Sequence, residues 1–287
     1  MTSNPTFEQV ARHLFQDTLP RRYTTLYLLP ALMTAAGAAL GLLLGWLPHS
    51  TIIGTATLVA AYTAATRRDQ RPAFAPASAA AYLQRLRTEL PGDAMDAIAD
   101  AVAECKTRGI EADVYRITCA CGQIICTCEN RVRAAVAPFG PRYAIIAVGD
   151  RLADTTGQLR FVLAHELGHL AGLHRVSQNA WHAANTLGFA IIGLHATGWT
   201  LVTAFITWRL VCSLWYAVNE AACDIRAARR YGYEAAAYWK RRVEAARLAR
   251  SARPVWHRLV ALPVQVLPMH PPLRVRAWYC RIVGTRR

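Results

Sequence analysis

The stretch Val162–His174 reads VLAHELGHLAGLH. It places His165 and His169 four residues apart, and Glu166 directly follows the first histidine. On a helix, residues four apart lie on the same face, so both imidazoles can reach one Zn²⁺ ion at about 2 Å. Glu166 is rotated to the side of that face, where its carboxylate can contact a metal-bound water rather than the metal. The spacing therefore predicts the geometry of a metallopeptidase, in which zinc acidifies the water and Glu166 takes its proton.

A site of this kind needs a third protein ligand, and two sequence patterns compete for that place. In the first pattern, a third histidine follows the second one by six residues. Position 175 is an arginine, and His174 falls one residue short. The first pattern therefore fails, and the third ligand is expected from another part of the chain.

The second pattern takes a glutamate from a later helix, and Asn219–Arg230 (NEAACDIRAARR) contains one. Glu220 can ligate the metal, while Asp224, one turn further on, can hold the second ring nitrogen of a ligating histidine. The alternative is an ordinary solvated helix whose two acidic residues face Arg226 and Arg229. Beside the histidine pair, the first interpretation is favoured, and the predicted metal ligands are His165, His169 and Glu220.

Composition places the chain between soluble and membrane proteins. It has 287 residues, 54% of them hydrophobic, and a formal charge of +15. Nearly all of the positive charge is arginine, because Lys106 and Lys240 are the only lysines. Such a bias fits a solvated basic surface, so we do not take the charge as a sign of a specific nucleic acid partner. The first twenty residues are polar and do not resemble a signal peptide, which predicts reduced cysteines in a cytoplasmic compartment.

Two uncharged stretches predict membrane helices. Residues 23–66 contain no Asp, Glu, Lys or Arg, and a turn at Pro48–Ser50 divides them into two apolar halves. Arginines flank this pair on both sides, which predicts that both of its ends face the cytoplasm. Residues 176–208 form a second uncharged stretch with shorter halves. It is interpreted as a second membrane hairpin; a pair of helices packed on the first two is the alternative.

The remaining segments predict helices at Ser78–Leu90, Asp93–Arg108, Thr156–Leu173, Ala217–Arg230 and Glu234–Ser251, and strands at Val114–Cys119, Ile124–Arg131 and Arg142–Gly149. The fold class is therefore α+β and mainly α, with a small β-sheet and about four transmembrane helices. The expected organisation is a cytoplasmic segment (1–22), a transmembrane hairpin (23–66), the first part of a catalytic domain (67–175), a second hairpin (176–216) and the rest of that domain (217–287).

Three short motifs together resemble those of a known family. HELGH, NEAACD and MHPPLRVR (Met269–Arg276) are similar to the motifs of the integral-membrane gluzincin peptidases of the HtpX and CAAX-prenyl-protease type. Cys223 stands where that family usually has alanine, a change between small residues that is expected to be harmless. The two hydrophobic segments before the zinc helix, and two more before the glutamate, also match the HtpX layout.

The resemblance implies a zincin-like catalytic domain with one catalytic Zn²⁺, in a multi-pass protein of the bacterial cytoplasmic membrane whose site faces the cytoplasm. It also implies that His270 and Arg276 are active-site residues, and either His270 or Arg276 could assist the oxyanion opposite the metal. The substrate would be a polypeptide, either a CAAX prenyl protein or a misfolded membrane protein. It would lie extended along an edge strand near Val132–Pro138 or Arg142–Val148.

The resemblance does not explain the stretch Thr118–Cys128, TCACGQIICTC. A hairpin turning at Gln123–Ile124 would put its four cysteines on one face of the sheet. A second, structural zinc, two cross-strand disulfides under oxidation, and small apolar side chains filling a core all stay open as explanations. The cysteines concerned are Cys119, Cys121, Cys126 and Cys128.

Two other functions compete with the peptidase. The first is a basic nucleic-acid-binding or regulatory membrane protein whose cysteines hold a structural zinc. The second is a catalytically silent membrane scaffold that keeps the metal site. Cleavage that depends on Glu166 distinguishes the peptidase from both.

Overall fold

Two helical hairpins, four further helices and a small sheet make up most of the part of the chain that the computed structural model describes. That part comprises residues 9, 29–67, 83–85, 92–117, 134–138, 142–149, 152, 156–170, 172–251 and 271–285. The main helices in it are α1 (Leu29–Leu43), α2 (Thr51–Arg67), α3 (Gly92–Thr107), α4 (Thr156–His169), α5 (Gly172–His195), α6 (Gly198–Arg230), α7 (Gly232–Ser251) and α8 (Leu273–Gly284). The strands are β1 (Leu83–Arg85), β2 (Glu111–Ile117), β3 (Ala134–Pro138) and β4 (Tyr143–Gly149).

The first hairpin, α1 and α2, turns where the sequence predicts. Gly45 lies in the connecting turn with φ +69°, a backbone conformation that residues other than glycine rarely adopt. The second hairpin, α5 and α6, turns at residues 196–197, inside the uncharged stretch 176–208. Trp46 in the first turn stacks on His195 at the second, with ring centroids 5.6 Å apart. The tips of the two hairpins therefore lie side by side.

Glycines allow α1 and α5 to pack with their backbones in contact. A Cβ atom on Gly193 of α5 would lie 2.0 Å from the carbonyl oxygen of Thr34 in α1. A Cβ atom on Gly37 of α1 would lie equally close to the carbonyl oxygen of Ala190. Small residues at such crossings are characteristic of helix packing in membranes, where backbone approach replaces the hydrophobic effect between helices.

The Gly193→Ala variant should therefore unfold at a lower temperature than the wild type. The added methyl group has no room beside Thr34, so the helices must separate, at a cost of about 1–3 kcal/mol. Gly54→Ala in α2 is the matched control, because a Cβ atom on Gly54 would meet no other atom within 4 Å. Thermal unfolding in detergent, followed by circular dichroism, measures both variants. Equal midpoints for the two variants would contradict the close packing of α1 and α5.

The four strands form one sheet in the order β1-β2-β4-β3. Strands β2 and β4 run parallel, and the other two pairs are antiparallel. Strand β4 lies between two neighbours, and its residues 144–148 are buried, as expected for an apolar run in the middle of a sheet. Of the two strands proposed for substrate binding, β4 is therefore interior, and β3 lies at an edge of the described sheet.

The prediction of a helix at Ser78–Leu90 is wrong for its central residues. Leu83–Arg85 form strand β1, whose residues pair with Tyr115–Ile117 of β2. Pairing with the open side of β2 overrides the local helix preference, because tertiary contacts outweigh weak propensities. The predicted strand at Ile124–Arg131 lies outside the described residues, whereas those at Val114–Cys119 and Arg142–Gly149 correspond to β2 and β4 within a few residues.

Helix α3 contacts both β2 and α4, and it ends at Thr107, two residues before the predicted stop at Gly109, where φ is +69°. The Arg108 guanidinium then donates to the carbonyl oxygen of Leu167 at 2.8 Å, near the carboxyl end of α4. Helix α4 itself ends at His169, earlier than the predicted Leu173, and Leu170 makes a turn before α5 begins. The second histidine of the motif therefore sits in the last turn of its helix.

Helix α6 is a single element of 33 residues. Its first half is apolar except for the buried Arg209, and its second half carries Glu220 and Asp224. The expected boundary at residue 216 between membrane hairpin and catalytic domain thus falls inside one continuous helix. By length and composition, α6 is the one described helix that could cross a membrane; α1 and the first ten residues of α2 are apolar but shorter.

Candidate metal centre

Helices α4 and α6 bring two imidazoles and one carboxylate together. Nε2 of His165 lies 3.3 Å from Nε2 of His169. The two carboxylate oxygens of Glu220 lie 3.5 Å from His165 Nε2 and 3.4 Å from His169 Nε2. A tetrahedral zinc with bonds of about 2.0–2.1 Å separates its ligand atoms by about 3.3 Å. The donor set and its spacing therefore fit Zn²⁺, with a fourth position left for water.

Asp224 lies behind the first histidine. Its Oδ1 is 2.9 Å from His165 Nδ1, the ring nitrogen that faces away from Glu220. The Asp224 side chain is fully buried. A carboxylate at this place fixes the tautomer and orientation of a ligating imidazole, which is the arrangement expected from the sequence.

Side chains of helix α8 hydrogen-bond to Asp224. Arg276 donates from Nε to Asp224 Oδ2 at 2.6 Å and from Nη2 to Oδ1 at 2.8 Å. Its Nη2 also lies 3.4 Å from Glu220 Oε2. The Tyr279 hydroxyl donates to Asp224 Oδ2, and the Arg276 guanidinium lies over the ring of Trp239, 4.1 Å from its centroid. The buried carboxylate is thus paired and hydrogen-bonded on all sides, as a buried charge requires.

These contacts bear on the role expected for Arg276. The family resemblance implied that it could assist the oxyanion, but its Nε and Nη2 donors are directed at Asp224 and Glu220. A guanidinium that contacts two carboxylates and stacks on an indole ring is well placed to position Asp224. Its pKa is lowered by burial, but the Asp224 carboxylate outweighs this and raises it, so the charge is permanent.

Sequence reasoning missed Tyr279 and Trp239. Tyr279 follows Arg276 by three residues and so shares its helix face, which is the one signal that the sequence offered. Burial and the neighbouring Asp224 carboxylate raise the pKa of Tyr279, so its hydroxyl stays a donor. Trp239 comes from α7, and nothing in the sequence connects it with the site.

Glu166 is half-buried on α4, beside the first ligand. Its charge contributes to raising the pKa of His165, which places the carboxylate within electrostatic range of the centre. His270 lies outside the described residues, as do Cys119, Cys121, Cys126 and Cys128. Pro271 and Pro272 directly precede α8, in agreement with a proline pair at a helix start.

The His165 imidazole is a strong base in the metal-free protein. Burial lowers its pKa, but the Asp224 and Glu220 carboxylates outweigh burial and raise the pKa to about 10. The ring is therefore protonated at neutral pH when no metal is bound, whereas a metal ligand must be neutral.

Metal binding near pH 7.5 should consequently release about one proton from this histidine. The apparent affinity should rise about tenfold per pH unit from pH 7 towards 10, because each unit removes more of the competing proton. Calorimetry of zinc binding in two buffers of different ionisation enthalpy measures the release. Asp224→Asn removes one of the carboxylates that raise the pKa and should lower the number of protons released at pH 8.5. An affinity that stays constant between pH 7 and 9 would contradict a protonated His165.

Comparison with known proteins agrees with this geometry. Residues 140–278 match the model of peptidase family M48. The matched region includes both histidines, Glu220, Asp224 and Arg276, and it is consistent with the resemblance to HtpX and CAAX-type proteases. Searches of the curated proteins and of the solved structures each returned no match. The segment that carries the candidate metal centre, residues 140–278, is therefore similar to peptidase family M48, a family of metallopeptidases.

Proposed function

We propose that the protein is a membrane-embedded, zinc-dependent endopeptidase. One observation carries this proposal: the ligand atoms of His165, His169 and Glu220 all lie within 4.8 Å of one another. These residues would hold the metal. When bound, zinc supplies a Lewis acid and a water molecule of lowered pKa.

The chain's own residues perform the proton transfers. Glu166 takes a proton from the attacking water and then passes it to the leaving amine. Asp224 keeps His165 in the tautomer whose Nε2, the nitrogen that faces Glu220, is free to bind a metal, and Arg276 and Tyr279 keep Asp224 in place. His270 would donate to the oxyanion that develops on the scissile carbonyl.

The substrate is proposed to bind as an extended strand along β3. This strand lies at the edge of the described sheet and packs against α4, which carries both histidines. An extended peptide that adds to such an edge gains backbone hydrogen bonds independent of its sequence. Affinity from the backbone suits an enzyme that accepts many polypeptides, such as a quality-control protease for membrane proteins.

Exposed apolar side chains support insertion of the two hairpins in a bilayer. Leu43, Ile53, Trp199 and Leu214 are 85%, 75%, 83% and 65% exposed. A continuous apolar surface on neighbouring helices must be shielded from water. Because the uncharged stretches are long, we propose that the lipid bilayer shields it. Along α6, exposed apolar residues recur at every fourth position from Ile206 to Val218.

Beyond Ala222, the exposed positions of α6 are all basic. The side chains of Arg226 and Arg230 are each more than half exposed. Arginine at the end of a membrane helix marks the headgroup region and its cytoplasmic side. Glu220 and Asp224 lie between the last exposed valine and these arginines, so the metal centre would sit at the cytoplasmic boundary of the membrane.

A cysteine introduced at Ser50 should react with a membrane-impermeant thiol reagent added to intact cells. The stacking of Trp46 on His195 joins the hairpin tips, so a cysteine at Thr197 should be labelled from the same side. A cysteine at Thr156, at the start of α4, should react only after the cells are permeabilised. Labelling of Thr156→Cys in intact cells would reverse the proposed orientation.

The catalytic proposal is tested with the full-length protein purified in detergent. We expect at least one zinc per chain, bound by the His₂Glu donor set of the described residues, and cleavage of casein that stops when the metal is removed by a chelator. A reconstituted misfolded membrane protein and a prenylated CAAX peptide, offered separately, then distinguish the two substrate classes. Zinc content without cleavage of any of these substrates would favour the silent scaffold.

A further inference from the structure

Cys223 lies in contact with the second metal-ligating histidine. It stands on α6 between Glu220 and Asp224, and its side chain is almost completely buried. Its Sγ atom is 3.6 Å from Nδ1 of His169, within hydrogen-bonding distance for sulfur. The thiol thus faces the nitrogen of His169 that points away from Glu220.

The sulfur has a defined place because Gly168 leaves room for it. A Cβ atom on Gly168 would lie 2.9 Å from Cys223 Sγ and 3.2 Å from its Cβ. Any side chain at position 168 would push α6 away from α4. The glycine of HELGH therefore allows the thiol to lie against the turn of α4 that carries His169.

We propose that Cys223 is a positioning residue for His169, whose Nδ1–H donates to the cysteine sulfur. Nε2 of His169 faces Glu220 Oε1 at 3.4 Å and is the nitrogen available to a metal. A neutral imidazole that uses Nε2 as a ligand carries its hydrogen on Nδ1. Consecutive residues of α6 then orient the two ligands, with Cys223 behind His169 and Asp224 behind His165.

This role rests on the proposed metal centre and replaces the expectation that a cysteine at position 223 acts only as a small filler. Partners of ligating histidines typically contribute 10–100-fold to metal affinity. Sulfur is a weak hydrogen-bond acceptor, so the contribution of Cys223 to zinc affinity should lie near the lower end of this range, at about tenfold.

The test compares Cys223→Ala and Cys223→Ser with the wild type in the full-length protein. Zinc affinity is measured by competition with a chelator, and the Co²⁺-substituted proteins are examined by proton NMR for the shifted imidazole N–H resonances. Cys212→Ala is the matched control, because Cys212 is a fully buried thiol on the same helix whose Sγ contacts Asn185 instead.

We expect Cys223→Ala to bind zinc about tenfold more weakly and to show faster solvent exchange of one N–H resonance. Cys223→Ser, which keeps an acceptor, should bind within about threefold of the wild type, and Cys212→Ala should match the wild type. Equal affinities for Cys223→Ala and wild type, or equal losses in the alanine and serine variants, would overturn the role of Cys223 alone. A wild-type protein that binds no zinc would overturn the metal centre as well.

Discussion

Replacement of Glu220 by alanine is expected to abolish zinc binding and peptide cleavage together. Glu220 is the one carboxylate in the described ligand cluster, and its two oxygens face both histidines at 3.4–3.5 Å. Without Glu220, only two of the three protein ligands remain. Two imidazoles bind zinc too weakly, so the metal should be lost during purification. Metal analysis of the purified variant and a casein-cleavage assay measure the two losses.

The matched control for this variant is Glu244→Ala on α7, whose side chain is exposed. It removes the same charge without touching the centre, so zinc content and cleavage should remain at wild-type levels. Stoichiometric zinc and normal cleavage in Glu220→Ala would show that the third ligand is another residue. The assignment of α6 as the ligand-bearing helix would then be wrong.

Replacement of Glu166 by glutamine is expected to separate metal binding from catalysis. Glutamine has the same shape, but it cannot accept the proton of the attacking water. Zinc content should stay at the wild-type value, while kcat/KM should fall by about three decades or more, because proton transfer and electrostatic help are lost together. Steady-state cleavage by metal-loaded protein measures the change.

The comparison of the two glutamate variants is itself informative. A ligand variant loses metal and rate together, whereas a general-base variant loses only rate. If Glu166→Gln loses zinc like Glu220→Ala, Glu166 belongs to the ligand set. If it cleaves casein as fast as the wild type, the proton acceptor is a different group, and the peptidase mechanism proposed above fails.

The ligand residues could be predicted from the sequence because each pair lies within a short motif on one helix. His165 and His169 meet through the helical repeat alone, and any helix over Val162–His169 brings them together. Glu220 and Asp224 also share one helix face, so a single contact between two helices places both. The structure joins these pairs through α4 and α6.

Local patterns were less informative where tertiary contacts decide the outcome. Leu83–Arg85 have a sequence suited to a helix, but they pair with β2 as a strand. The expected division at residue 216 does not interrupt α6, because the helix continues without a break where its sequence changes from mainly apolar to polar. Hydropathy reports such a change of environment and says nothing about backbone continuity.

The sequence by itself determined the donor set of the centre, since two histidines one turn apart and a Glu–Asp pair four residues apart specify chemistry through helical geometry. Only the tertiary structure decided which groups surround those donors. Arg276 and Tyr279 reach Asp224 from α8, Trp239 supports the guanidinium from α7, and Cys223 reaches His169 across the space left by Gly168. These contacts join residues far apart in the chain, and they depend on how closely helices approach, which is set by side-chain volumes across several elements at once.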